Sequence, residues 1–221
     1  MKTVRPKLRS ALAATVTVAL FAVTAEVAFA DRERIPDAEI FASSTTTLIT
    51  DPDDPRLDQR LVAFSRAVNQ IIRRGGGSPR GSQLLDGVFF SSALGVTTLE
   101  RSRDFDIDHV SPKELDDIAQ RVRQRFHQQS VLSFDYREHR RDPVDAVEVE
   151  VPGVSARQLR EGFLANAKAR ERLRGGSVTL DGRLILVAAL EDRRLVKRFV
   201  TELGGDYRKA KVRLGRREFV S

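Results

Sequence analysis

The sequence predicts an α+β fold in which a signal peptide precedes two tandem ferredoxin-like (βαββαβ) units that arose by internal duplication. Two observations lead to this prediction: both halves of the chain show the same order of strand and helix patterns, and two short turn motifs recur 99 and 95 residues apart. Each unit is expected to form an antiparallel sheet with its helices on one face. The expected division of the chain is a signal peptide over residues 1–30, a linker over 31–43, a first unit over 44–140 and a second unit over 141–221.

The first thirty residues have the pattern of a secretory signal peptide. Four cations within residues 2–9 precede a short apolar run over 11–24, and small residues stand at Ala28 and Ala30, before Asp31. We expect cleavage between Ala30 and Asp31, so that a mature chain of 191 residues is secreted. The apolar run is shorter than the ~20 residues that a transmembrane helix needs. The alternative is an uncleaved anchor, which would be the only contact of the chain with a membrane.

The amino-acid composition favours a folded protein and excludes several kinds of functional site. Of the 221 residues, 41% are hydrophobic, which is enough to build a core. The absence of cysteine excludes a disulfide framework, a thiolate-bound zinc ion and a cysteine nucleophile. Without residues 1–30 the net charge falls from +7 to +4, because that segment carries four cations and one anion. The remaining cations are dispersed along the chain, so binding to nucleic acid, which requires clustered cations, is not expected.

The first unit begins with a β-branched segment and contains two helix signals. Asp54 before Pro55 favours a helix start, and apolar residues at helical spacing continue that helix to Ile72. Ser111 and Glu114 have the spacing of a capping box, which starts the second helix. In chain order the predicted elements are strand 45–50, helix 55–72, strands 88–90 and 96–99, helix 112–126 and strand 130–136.

The second unit repeats this order. Residues 147–151 alternate between apolar and charged, which is typical of a strand with one buried face. Ser155 and Gln158 have the spacing of a second capping box, and Asp181-Gly182 predicts the tight turn of a hairpin. In chain order the predicted elements are strand 147–151, helix 156–173, strands 178–180 and 183–190, helix 195–203 and strand 209–214.

Local sequence similarity supports the duplication. A Gly-Gly-Ser motif at 76–78 recurs at 175–177, and a Leu-Asp-Gly motif at 85–87 recurs at 180–182. The first unit is predicted to carry an insertion over residues 91–110 that the second unit lacks.

The segment with the most suggestive chemistry contains Asp104, Asp106, Asp108 and His109. Alternate carboxylates are typical ligands of hard cations, but the segment lacks the glycine and the glutamate of a helix-loop-helix calcium loop. An edge strand is therefore favoured, with the intervening apolar residues turned into the core and the aspartates turned outward. No metal and no cofactor are predicted. The alternatives are a metal site at Asp104, Asp106 and Asp108, and acid–base catalysis by Asp106, Asp108 and His109.

Other motifs do not support catalysis. The glycine-rich stretch 75–81 follows a helix and lacks the lysine of a phosphate-binding loop, and the sequence contains no Gly-x-Ser-x-Gly motif. His127 and His139 are expected to be structural or solvent-facing.

Four charged residues define the predicted binding surface. Glu148 and Glu150 lie on the first predicted strand of the second unit, and Lys211 and Arg213 lie on its last strand. In a ferredoxin-like sheet these strands are antiparallel neighbours, so the opposite charges are expected to pair, while the alternating apolar residues face the helices. The charged face is expected to be solvated or to form a wet interface.

These observations predict a secreted bacterial protein that binds a ligand or another protein without catalysis. The expected partner is an unidentified protein or small ligand, held at a sheet face or a free edge strand, and the chain is expected to be a monomer or a weak dimer. The alternative is an exported enzyme that uses carboxylate or histidine acid–base chemistry in a cleft between the two units.

Overall fold

The computed structural model describes residues 35–137 and 143–221. Within these ranges the chain forms eight strands, five α-helices and three short 3-10 helices. The strands are β1 (Ala38–Ser43), β2 (Ser78–Ser91), β3 (Val96–Asp108), β4 (Val131–Tyr136), β5 (Ala146–Pro152), β6 (Gly175–Thr179), β7 (Arg183–Ala189) and β8 (Lys211–Val220). The α-helices are α1 (Val62–Arg74), α2 (Pro112–Arg125), α3 (Ala156–Ala165), α4 (Ala167–Arg172) and α5 (Arg193–Glu202), and the 3-10 helices are Pro55–Asp58, Leu190–Asp192 and Tyr207–Lys209.

Two helices begin at the predicted capping boxes. The Ser111 hydroxyl accepts a hydrogen bond from the Glu114 N–H (3.3 Å), and the Glu114 carboxylate accepts one from the Ser111 N–H (2.8 Å). Ser155 and Gln158 make the same pair of bonds at the start of α3. These bonds satisfy N–H groups that have no partner within the helix, which explains why both helices begin at these residues.

The eight strands form one closed antiparallel barrel in the order β1-β3-β2-β6-β7-β5-β8-β4, with β4 returning to β1. Each half of the chain contributes four neighbouring strands, in the orders β4-β1-β3-β2 and β8-β5-β7-β6. The two halves are joined by the antiparallel pairs β2–β6 and β4–β8.

The predicted fold class is therefore wrong. Two tandem ferredoxin-like α+β units would each have their own sheet, whereas the pairs β2–β6 and β4–β8 join all the described strands into a single barrel. Hydrogen bonding explains the difference, because an open sheet leaves the backbone groups of its edge strands unpaired and closure gives each of them a partner. Residues Pro36–Ser221 accordingly form one compact unit. The predicted boundary between residues 140 and 141 lies outside the described residues, as do the Ala30–Asp31 cleavage site and His139.

Four predictions for the first half also differ from the structure. Residues 38–43, predicted as part of a linker, form β1, and the predicted strand 45–50 contributes only an isolated bridge between Ile49 and Leu99. Residues 91–110, predicted as an insertion, contain all of β3, which pairs along its whole length with β2. The helix predicted over 55–72 is divided, because Leu61 adopts a left-handed conformation (φ 52°) before α1 begins.

The helices cover the outside of the barrel. In the first half, Phe64 and Val68 of α1 and Ile118 of α2 pack against β1 and β3. In the second half, Phe163 of α3 and Phe199 of α5 pack against β5 and β7. Since successive strand residues point to opposite faces, the remaining side chains of each strand point into the barrel. None of the helices in the described ranges has the length and apolar character to span a membrane.

Candidate functional site

A cavity of about 840 Å³ occupies part of the barrel interior and is the candidate functional site. Its apolar wall comes from strands on opposite sides of the barrel and includes Phe41, Phe89, Leu132, Ile185, Val187 and Phe219. Segments 45–48, 128–130 and 171–174 line one end of the cavity, where Leu48 and Phe219 remain more than half exposed. The cavity therefore opens to solvent at this end of the barrel.

The polar wall of the cavity centres on Glu100 of β3. Thr98 and Ser102 precede and follow it by two residues, so all three side chains lie on the inner face of the same strand. Burial raises the pKa of Glu100 from 4.5 to about 7, and hydrogen bonding with the Ser43 side chain lowers it in part. None of the ion pairs among the described residues involves Glu100. Glu100 is thus a desolvated carboxyl that titrates near neutral pH.

Gln128 contributes a second polar group, close to the rim. Its side-chain oxygen accepts a hydrogen bond from the Ser43 N–H (3.0 Å), which orients the amide. The Gln128 side-chain nitrogen is buried and has no hydrogen-bond partner within the described part of the chain. The Gln128 side-chain nitrogen can therefore still donate a hydrogen bond beside the cavity.

A charged network fills the barrel interior next to the cavity. The Arg213 guanidinium lies 3.0 Å from a carboxylate oxygen of Glu148, 3.7 Å from one of Glu150 and 4.0 Å from one of Glu39. The Tyr136 hydroxyl donates to Glu148, and the guanidinium lies 5.5 Å from the centre of the Tyr136 ring. Burial and the nearby negative charges of Glu39 and Glu148 raise the pKa of Tyr136 above its usual range, so that Tyr136 remains a neutral donor.

Three carboxylates of this interior are close enough to share a cation. One oxygen from each of Glu39, Asp104 and Asp106 lies within 4.8 Å of the others. Burial, together with the charge of a neighbouring carboxylate, raises the pKa values of Glu39 and Asp104 well above their usual range. One Asp104 oxygen accepts from Gln83 (2.9 Å), and the other has no hydrogen-bond partner among the described residues. An all-oxygen set of this kind suits a hard divalent cation, and protons can neutralise it equally well.

The structure places the predicted aspartates differently from the expectation. Asp104 and Asp106 point into the barrel, where they lie close to Glu39. Strand β3 lies between β1 and β2 and is therefore not an edge strand. Asp108 is not a member of the carboxylate cluster; it lies 3.4 Å from Arg80 and accepts a hydrogen bond from the Asp37 N–H (3.3 Å). The outward, solvated orientation predicted for these aspartates is wrong.

His109 lies apart from the carboxylate cluster at the end of β3. The His109 side chain is exposed and its backbone is left-handed (φ 55°). The backbone N–H of His109 donates a hydrogen bond to the Asp37 carboxylate (2.7 Å). A catalytic role for Asp106, Asp108 and His109 stays a prediction.

The charged pairs predicted between β5 and β8 are present in the strand register. Glu148 faces Arg213 and Glu150 faces Lys211, while Val147 packs in the helix-covered core. The expectation of a solvated face is wrong, because this face lines the interior of the closed barrel and Glu148 is only 2% exposed. Lys211 is exposed at the start of β8. The role of these four residues in binding stays a prediction.

Sequence reasoning missed Glu100, Gln128 and the cavity. The signal available for Glu100 was the alternation of Thr98, Glu100 and Ser102 with larger side chains along β3, which indicates one polar face. The cavity itself had no sequence signal, because it depends on strands from both halves of the chain.

The fold and the site together define an eight-stranded antiparallel barrel, covered by helices on its outer face and hollow at one end. Comparisons with protein-family models, with curated proteins and with solved structures found no match to this chain.

Proposed function

We propose that this protein binds a small molecule inside its barrel without transforming it. The observation that carries the proposal is the cavity of about 840 Å³, which opens at one end of the barrel. Sites for small molecules are typically concave, of about 300–1,000 Å³, and apolar with a few polar groups that orient the ligand. The cavity has this size, and its lining combines apolar side chains with polar and charged groups.

The lining indicates an amphipathic ligand. Phe41, Leu132 and Phe219 present an apolar surface, while Glu100 and Ser102 present hydrogen-bonding groups on a neighbouring strand. Burial of an apolar ligand surface would contribute about 25 cal/mol per Å², and the polar groups would select its orientation. Closure of the barrel supports binding inside the protein rather than at a strand edge, because the described strands have no free edge.

We further propose that binding takes place outside the cytoplasm. The pattern of residues 1–30 supports export through a cleaved signal peptide. Amino-terminal sequencing of secreted material tests this, with Asp31 expected as the first residue and Met1 as the contrary result.

Val187→Phe tests the binding proposal, because Val187 lines the cavity and a phenyl ring at this position would fill part of it. The matched control is Val62→Phe, the same substitution at a position that is 51% exposed on α1. Titration with a neutral, environment-sensitive fluorophore such as N-phenyl-1-naphthylamine is expected to show saturable binding to the wild type. The Val187 variant is expected to bind at least about tenfold more weakly, and the Val62 variant as tightly as the wild type. Equal binding by all three proteins would place the fluorophore outside the cavity and contradict the proposal.

A second candidate function is acid–base catalysis in the same cavity, and Glu100 is the observation that favours it. A carboxyl with a pKa of about 7 can both accept and donate a proton at neutral pH, which is the property of a general acid or base. Glu100→Gln distinguishes the two functions once a ligand is known. Loss of turnover with retained binding would identify an enzyme, whereas an unchanged ligand recovered after incubation with the wild type identifies a binding protein.

A further inference from the structure

We infer that the ligand of the cavity carries a cationic amine, which pairs with the Glu100 carboxylate; this inference rests on the proposed binding function.

Glu100 lies next to an aromatic ring in the cavity wall. It faces Gly87 across the β2–β3 pair, and two residues further along β2 Phe89 faces Thr98. The Phe89 ring lies over Gly87, since a Cβ added there would meet the ring at 2.7 Å, and it also covers Gly175, where an added Cβ would meet the ring at 2.2 Å. The two glycines thus allow the ring to lie flat against the barrel wall. A carboxylate beside an exposed aromatic face is a favourable site for an ammonium group, which gains both an ion pair and a cation–π contact.

Glu100, which is half-buried, differs from the buried glutamates of the barrel interior in its lack of a cationic partner. Glu148 and Glu150 both lie within 4.0 Å of Arg213. Glu100 has no such neighbour in the described part of the chain, although its carboxyl lies in a desolvated wall. A desolvated carboxylate without a counter-charge is unfavourable, and a ligand ammonium would supply that charge.

The other charged groups that line the cavity lie on other elements of the fold than Glu100. Arg172 is paired with Glu191 and with Asp192 (3.0 Å) at the rim. Arg217 lies on β8, three strands away from β3 in the barrel order, and its guanidinium lies 5.9 Å from the centre of the Phe219 ring. Glu171 and Arg174 are exposed on the rim. Arg217 is therefore the group that would favour an anionic ligand. Cationic and anionic ligands must for this reason be compared.

The test uses three ligands with one naphthalene ring and different charges: 1-naphthylmethylamine, 1-naphthalenemethanol and 1-naphthoate. Binding to the wild type is measured at pH 8 by isothermal titration calorimetry. We expect the amine to bind at least tenfold more tightly than the alcohol, and the acid to bind more weakly than the alcohol.

Glu100→Gln is the diagnostic variant, and Glu218→Gln, at an exposed position on β8, is its matched control. Glu100→Gln is expected to remove the preference for the amine and to leave the affinity for the alcohol unchanged, whereas the control keeps the preference. If Glu100→Gln does not fold, the three-ligand comparison on the wild type decides alone.

The possible failures are distinguishable. Equal affinities for the three ligands would overturn the inference and leave the binding function intact, and tighter binding of the acid would overturn it in favour of recognition by Arg217. Absence of binding by all three would overturn the proposed function together with the inference.

Discussion

Glu148 of β5 and Arg213 of β8 face each other across a strand pair inside the barrel, with a guanidinium nitrogen 3.0 Å from a carboxylate oxygen. Both strands belong to the second half of the chain, yet Arg213 also lies 4.0 Å from Glu39 of β1, in the first half. One guanidinium therefore links carboxylates from the two halves that the barrel joins.

Removal of that guanidinium should strongly destabilise the protein. Arg213→Met would leave Glu148 buried without its counter-charge, and the loss of one partner from a buried ion pair typically costs about 3–5 kcal/mol. Lys211→Met is the matched control on the same strand, because Lys211 is exposed and is expected to change stability by less than about 0.5 kcal/mol. Urea unfolding measures both variants, and similar losses for the two would contradict the role of Arg213.

Glu100 should make stability depend on pH in a defined direction. Its pKa in the folded protein is raised from 4.5 to about 7, so its contribution to stability is fully present below pH 4.5 and is lost as the pH rises through 7. Glu100→Gln keeps a neutral side chain at every pH. The variant is therefore expected to gain about 1–2 kcal/mol relative to the wild type between pH 5 and pH 8, less than the full pKa shift because the carboxyl also faces the cavity.

Urea unfolding at the two pH values measures this gain. Glu39 and Asp104, whose pKa values are also raised, are present in both proteins and cancel in the difference. The exposed Glu218→Gln variant should show no gain. If the difference in unfolding free energy between Glu100→Gln and the wild type is the same at pH 5 and at pH 8, the Glu100 charge is not desolvated in the folded protein.

Gly215 of β8 should not tolerate a side chain. A Cβ at this position would lie 2.4 Å from the carbonyl oxygen of Asp135 and 2.5 Å from the Phe134 ring. Gly215→Ala is therefore expected to cost about 1–3 kcal/mol, because a backbone oxygen in a paired strand cannot move away easily. Gly81→Ala, where the nearest atom is a carboxylate oxygen at 3.6 Å, is the control and should change thermal stability little. Equal melting temperatures for the two variants would argue against the β4–β8 pairing.

Amide hydrogen exchange should reveal the closing pairs of the barrel. Strands β2 and β6 are hydrogen-bonded to each other only if the sheet is closed. Their pairing runs from Leu85–Thr179 to Phe89–Gly175. Peptides that cover residues 84–90 and 175–180 are expected to exchange as slowly as peptides from β5, which has neighbours on both sides. Fast exchange in these two segments alone would indicate two open sheets.

Local signals in the sequence predicted much of the secondary structure. The capping boxes at Ser111 and Ser155 mark two helix starts, because they depend only on residues within one turn. The alternation over residues 147–151 predicts both the strand and its helix-facing side for the same reason. The opposite charges of Glu148 and Arg213 then indicate their pairing.

The barrel and its cavity could not be predicted in this way. The pairs β2–β6 and β4–β8 join residues that are 79 or more positions apart, and no local pattern specifies which strand edges meet. Strand β1 was missed because alanines at its ends have a weak strand propensity, although its inward and outward residues alternate. Without knowledge that the barrel closes, a charged strand face is interpreted as solvated, and the desolvation of Glu100 cannot be inferred.

Strand β8 is the last of the eight in chain order, and it lies between β4 and β5. The barrel therefore cannot close before residues 211–220 have been synthesised, and until then β4 and β5 each have an unpaired edge. The last pairs of the barrel that become possible during synthesis are therefore those that β8 makes with β4 and β5. A truncation within β8 would leave the edges of β4 and β5 unpaired, and unpaired strand edges favour association with strands of other molecules.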